Sequence, residues 1–140
     1  MSDWIVNDGP QDHCFGCGQR NQSGLRLRFR RIGESSVEAE YTVPRHFRGA
    51  DGVVHGGIQA ALLDEIMGLA VHTFLVGEEH TIVTAEMSVR YRKSTPIETL
   101  LTIRGHLNRT EGSNLFLSGE ILNGEGELLT EADSRFRRLK

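Results

Sequence analysis

The residues best equipped for chemistry lie close together in the chain: His55-Gly56-Gly57 and, shortly after, Asp64. Glycines at a helix start leave backbone N–H groups without intrahelical partners, at the positive end of the helix dipole. With no Cβ in the way, a carbonyl oxygen can approach such an amide, which then acts as a one-donor oxyanion hole. Asp64 offers a carboxylate. Set out at about 100° per residue, Gly57, Ala61, Asp64 and Gly68 share one stripe, opposite Ile58, Leu62, Ile66, Leu69 and Thr73. Asp64 is thus the ionisable group on a face of glycine and alanine, where poor solvation favours a more basic carboxylate. Glu65 points about 100° away, towards the His72 side, and is the rival carboxylate. Plainer roles remain open: a solvated or ion-paired Asp64, and a His55 that only caps the helix.

Distance constrains how the two groups can cooperate. Gly57 and Asp64 are about 10 Å apart along a helix, more than an aspartate side chain spans. If both act on one carbon, Asp64 comes from a neighbouring subunit whose helix runs antiparallel.

The elements around these residues read as ββ-α-ββββ. Leu25, Leu27 and Phe29 alternate with arginines, and Val37, Ala39, Tyr41 and Val43 alternate after a Gly33-Glu34 turn, which predicts a β-hairpin. From Gly57 to about Val76 the pattern is helical and apolar on nearly all sides, with Gly77 as the expected C-cap. The run 82–92 alternates strictly, with Val83, Ala85, Met87, Val89 and Tyr91 on one face and Thr84, Glu86, Ser88, Arg90 and Arg92 on the other. Three more strands are predicted over 100–107, 115–122 and 128–136, separated by Glu111-Gly112 and Asn123-Gly124-Glu125-Gly126. One greasy helix among strands joined by hairpins is an α+β arrangement with an antiparallel sheet. Such a helix needs the sheet to curl around it or a second subunit to cover it.

The chain of 140 residues is expected to form one domain, 1–140, with 1–23 as an N-terminal extension. Net charge is -3, which argues against a nucleic-acid or anionic-membrane partner. The apolar stretch 58–76 is interrupted by Gln59, Asp64, Glu65, His72 and Thr73, unlike a membrane span, and the first residues lack the pattern of a signal peptide. A cytoplasmic protein is the expectation. Cys14-Phe15-Gly16-Cys17 could be half of a zinc site, a redox pair or packed reduced thiols. Zinc needs further ligands, for which His13 and His46 are candidates. The βαβ setting of a redox pair is missing, so packed thiols and no metal are expected.

Gly52-Val53-Val54-His55-Gly56-Gly57, followed by Ala61-Leu62-Leu63-Asp64-Glu65, resembles the hotdog-fold thioesterases of the phenylacetate-pathway and acyl-CoA thioesterase type. Thr84-Ala85-Glu86-Met87-Ser88-Val89-Arg90-Tyr91 resembles the strand after the helix in that family, and Cys14-Phe15-Gly16-Cys17-Gly18 recurs in one branch. The resemblance implies a helix wrapped by five or six antiparallel strands and dimers with a continuous sheet, often paired into tetramers. It also implies an acyl-CoA substrate and no cofactor or metal. Position by position, Asp64 matches the catalytic carboxylate, as nucleophile or as the base activating water. His55 matches the histidine before the helix, Gly56 or Gly57 the polarising amide, and Thr84 a hydroxyl beside the water or carboxylate. Some relatives carry Asn or Gln where this chain has Gly49, and Thr84 is a candidate substitute.

Thioesters suit so sparse a site, because the thiolate leaves without strong acid catalysis. No GxSxG elbow points to a serine nucleophile. Arg90, Arg92 and Lys93 are candidates for the coenzyme A phosphates, or else a solvated strand edge that discourages aggregation. The alternatives are a non-catalytic acyl-CoA binding protein and a hotdog hydratase or dehydratase, which would use a different His and acidic pair.

Overall fold

The apolar run after His55 folds as one long helix, α1 (Gly56–Phe74), in a computed structural model that describes residues 4–7, 9, 13–75 and 81–139. The His55 imidazole accepts from Gly57 N–H and so satisfies one donor of the first turn. At the far end Leu75 N–H donates to Val71 O at 2.9 Å. The expected Val76 end and Gly77 cap lie outside the described residues. Among the described residues no helix is long and apolar enough to cross a membrane.

Six strands accompany the helix: β1 (Arg30–Arg31), β2 (Ser36–Thr42), β3 (Thr81–Tyr91), β4 (Leu100–Glu111), β5 (Asn114–Leu122) and β6 (Leu128–Leu139). They form one antiparallel sheet in the order β1-β2-β4-β5-β6-β3. α1 touches every strand from β2 to β6, so the sheet must curve around it. This is the α+β hotdog architecture. Gly112 and Gly126 adopt φ of 61° and 80° in the turns on either side of β5, a conformation open to glycine at little cost.

Leu62, Leu63, Ile66, Met67 and Ala70 have no exposed surface and meet Val37, Ala39, Leu101, Ile103, Leu115 and Ile121 of the sheet. The helix backbone itself comes down on the sheet. Gly105 and Gly119 are cross-strand partners. A Cβ on Gly105 would lie 2.6 Å from Ile66 O, and one on Gly119 would lie 3.3 Å from a Leu63 methyl. The paired glycines form a trough that fixes how deep α1 sits. Truncating Met67 above that trough to alanine should cost about 2–5 kcal/mol through the cavity left behind.

Two expectations fail locally, each for a hydrogen-bonding reason. The hairpin closes only where Arg30 and Arg31 pair with Glu38 and Val37. Leu25, Leu27 and Phe29 are buried as expected, but their amides donate to Phe15 O, Gly16 O and Ile5 O. The N-terminal segment, not β2, therefore satisfies that stretch. In β3 the register shifts between Thr84 and Glu86, leaving Ala85 as an extra residue. A bulge of this kind reverses which side chains face the core. Ile82, Met87 and Val89 consequently all pack on the core, and Thr84 turns to the helix side instead of sharing a face with Ser88 and Arg90.

Candidate functional site

The approach to α1 is braced from three sides. Val54 N–H donates to Thr95 O at 2.8 Å, and His55 N–H donates to Phe47 O at 3.0 Å. Gln59, 4% exposed, donates from its amide to Val54 O at 3.0 Å, and its Oε1 accepts from the hydroxyls of Thr95 and Thr130. A buried amide with its carbonyl and one N–H engaged is worth keeping, since loss of a partner leaves a desolvated polar group. Tyr91 O–H donates to Gly56 O at 2.8 Å. Gly49 lies directly against His55, with a hypothetical Cβ 3.3 Å from His55 Cα.

These contacts discriminate between the two candidate amides. Gly57 N–H is occupied, donating to His55 Nδ1 at 2.9 Å. Because Nδ1 accepts, neutral His55 carries its proton on Nε2. Gly56 N–H has no acceptor among the described residues, so Gly56 is the candidate amide to receive a carbonyl. His55, Gly56, Tyr91, Arg92 and Lys93 line one open pocket of about 450 Å³. Arg92 pairs with Glu131 at 3.1 Å, and Lys93 pairs with Glu127 at its rim. Arg90 is not among the residues around this pocket. It bonds Glu131 and Asp133 at 2.8 Å each, contacts that push its own pKa up.

Asp64 sits in a different cavity, also about 450 Å³, bounded by α1, β3 and the N-terminal segment. Thr84 O–H donates to Asp64 Oδ1 at 2.6 Å, a contact the Ala85 bulge makes possible. Ile5, Phe29, Leu69, Ile82 and Phe136 give this cavity apolar walls. Glu65 opens into the same space. Burial raises its pKa, a hydrogen bond with Cys17 opposes that, and the Asp64 charge adds to the rise. The Cys17 thiol is pushed up as well, by burial first and then by Glu65. So both carboxylates face one cavity. Asp64 is tied to β3 and Glu65 faces the cysteines.

The thioesterase superfamily profile matches residues 51–130. The chain belongs to that superfamily. Acyl-coenzyme A thioesterase THEM4 of Mus musculus is 32% identical over 95 residues, and that of Rattus norvegicus is 30% identical over 95. Each alignment covers 67% of this chain and 39% of the relative, so the chain spans about two fifths of the length of the curated relatives it matches. A crystal structure of another thioesterase superfamily protein superimposes with a TM-score of 0.80 at 28% identity, covering 90% of this chain and 60% of that one. A hypothetical thioesterase from Streptococcus pneumoniae, crystallised with coenzyme A, gives a TM-score of 0.72 at 23% identity, covering 81% and 85%.

The superfamily match takes in His55, Gly56, Asp64, Thr84, Arg92 and Lys93, but not the cysteine pair. The structure brings Asp64 to Thr84, and His55 to Gly57, while keeping Asp64 and Thr84 in one pocket and His55 and Gly56 in another. Neither His13 nor His46 joins the cysteines. Among the described residues their neighbour is Glu65, and His46 packs against Phe47 with tilted rings whose centroids are 4.4 Å apart. Sequence reasoning missed Gln59 and Tyr91. A glutamine inside an apolar helix was the available signal for the first. Tyr91 carried none, being one aromatic in an alternating strand.

Proposed function

We propose that this chain hydrolyses acyl-CoA thioesters to free acid and coenzyme A, with Asp64 as nucleophile or general base. The observation that carries this reading is Asp64 itself: a carboxylate oriented by Thr84 and opening on a cavity whose apolar walls, Ile5, Phe29, Leu69, Ile82 and Phe136, suit an acyl chain. One carboxylate oxygen accepts from Thr84, which leaves the other for a water molecule or the thioester carbon. In the general-base route Asp64 takes a proton from water as its oxygen attacks the carbonyl carbon. The oxyanion that forms faces Gly56 N–H, and the coenzyme A thiolate then departs. In the nucleophile route the carboxylate oxygen attacks, the thiolate leaves, and water hydrolyses the resulting anhydride. Either way one amide donor and a good leaving group suffice.

The separation of the two pockets supports a site built by two chains. Among the described residues β3 ends the sheet with eleven residues and an unpaired edge, which a second copy can extend into a continuous sheet. Antiparallel pairing there would carry the Asp64 of one chain towards the Gly56 of the other, giving a homodimer or a dimer of dimers. Arg92 and Lys93, beside Gly56, are the better placed phosphate ligands; Arg90 already has two carboxylates around it.

Thiol release from short, long and aromatic acyl-CoAs, with Asp64→Asn as the control, tests the reading. Turnover by the wild type and its loss in a folded variant are expected. A wild type that binds acyl-CoA but turns over none would make it a binding protein. Loss of enoyl absorbance without thiol release would make it a hydratase.

A further inference from the structure

Cys14 and Cys17 take no part in the proposed hydrolysis, yet they sit in a carefully held turn. Gly18 N–H donates to Cys14 O at 2.9 Å, and Phe15 O and Gly16 O accept from Leu25 and Leu27 at 2.7 and 2.9 Å. The turn is thus clamped to the stretch that carries the buried Leu25 and Leu27. It also lies hard against α1: a Cβ on Gly16 would stand 2.1 Å from Glu65 Cδ, so glycine is what admits the carboxylate there.

We propose that Cys14, Cys17 and Glu65 bind a zinc(II) ion that ties the N-terminal segment to α1, with a fourth position open to the Asp64 cavity. One donor atom from each of the three residues falls in a group no more than 4.8 Å across. Cys14 Sγ is 4.0 Å from Glu65 Oε2. Tetrahedral zinc with sulfur at about 2.3 Å and oxygen at about 2.0 Å places neighbouring donors roughly 3.5–3.8 Å apart. Closing the cluster onto an ion therefore takes small side-chain rotations. Asn7 Nδ2 donates to Cys17 Sγ at 3.3 Å, the outer hydrogen bond that orients a metal-bound thiolate. Two thiolates select zinc over magnesium or calcium, and three protein ligands leave a coordination position for water. The other cavity faces of the cluster are supplied by α1 and the N-terminal segment, both of which the ion would join.

The test is metal content and cobalt spectroscopy on the full chain purified under reducing conditions. We expect one zinc per chain by mass spectrometry. After chelation, cobalt(II) should give a cobalt–thiolate charge-transfer band and intense tetrahedral visible bands, which d10 zinc lacks. Cys14→Ser should abolish stoichiometric zinc, and Glu65→Gln, nearly isosteric, should weaken binding by more than the about 10–100-fold that loss of a ligand's hydrogen-bond partner costs. His72→Ala, on the same cavity but outside the donor set, should leave the zinc content unchanged. Circular dichroism verifies that each variant is folded. Zinc-free protein with two reactive thiols and no cobalt band overturns the proposal. So does a Cys14–Cys17 disulfide under those conditions, or zinc affinity unaltered by Glu65→Gln.

Discussion

At the start of α1 the candidate groups belong to the backbone, and neighbours within a few residues hold them: His55 caps Gly57, and Gln59 grips Val54. Two turns later the candidate group is a side chain whose partners are distant in the chain, Thr84 on β3 and an N-terminal segment that walls the cavity. The helix-start pocket is lined mainly by its own loop and the end of β3, whereas the mid-helix cavity takes walls from α1, β3, β6 and the N-terminal segment. The contrast teaches that a backbone donor needs only a fixed loop, whereas a carboxylate side chain needs partners assembled from several parts of the chain.

The strongest way to break the contrast is at the carboxylate. Asp64→Asn should lower kcat by about 10²–10⁴-fold, the range of a lost general base, with a melting temperature near wild type. A variant of undiminished turnover would shift the role to Glu65. Next is the amide. Gly56 is the first helical residue and His55 before it is extended, at φ -55° and ψ 135°. Proline is at home in that position, so Gly56→Pro deletes the N–H while preserving the helix start. A fall of about 10²–10³-fold in kcat is expected. Gly56→Ala keeps the N–H and finds only ordinary contact with Tyr91, its nearest atom at 3.4 Å, so it should retain most activity.

Mixing these two inactive chains asks whether the regions meet across subunits. Random pairing should recover about a quarter of wild-type activity, through mixed dimers with one intact site each. No recovery would confine the reaction to one chain. Thr84→Val should reduce kcat by about 10-fold, in line with a hydrogen bond to a charged group, while Thr84→Ser keeps the donor and most of the rate.

The smallest effect lies outside both regions and measures the scaffold alone. Glu38 is buried on β2 between Arg30 at 2.7 Å and Arg104 at 2.8 Å. Burial raises its pKa, but the two guanidiniums outweigh burial and hold it below the ordinary 4.5. Its contribution is therefore complete above that pH and is lost as pH falls through the depressed value. Glu38→Gln should cost about 1–3 kcal/mol at neutral pH by denaturant unfolding, a difference that disappears in acid.

Most of the fold was legible because burial imposes a period on each element. Val37 and Ala39 alternate inward on β2 as expected, and the helix start was read within one residue, at Gly56 rather than Gly57. Legibility ended where hydrogen bonds, not hydrophobicity, decide. Nothing in an alternating run marks Ala85 as the residue that falls out of register, so Thr84 was placed on the wrong face of β3 for its contact with Asp64. Family resemblance picked out Thr84 where periodicity could not. Glu65 was legible as a carboxylate but not as a neighbour of Cys14 and Cys17, because contacts across fifty-one positions of chain leave no local pattern.

One strand grips the helix at both ends of the proposed chemistry: Tyr91 holds Gly56 O, and Thr84 holds Asp64. Strand and helix run in opposite directions here, and the single extra residue at Ala85 lets both hydroxyl groups point the same way. Loss or gain of one residue between positions 84 and 91 would turn one hydroxyl outward. Length variation among descendants of this chain should therefore be excluded from that interval and accumulate in the connections outside it. β3 is a ruler whose graduations evolution can repaint but not respace.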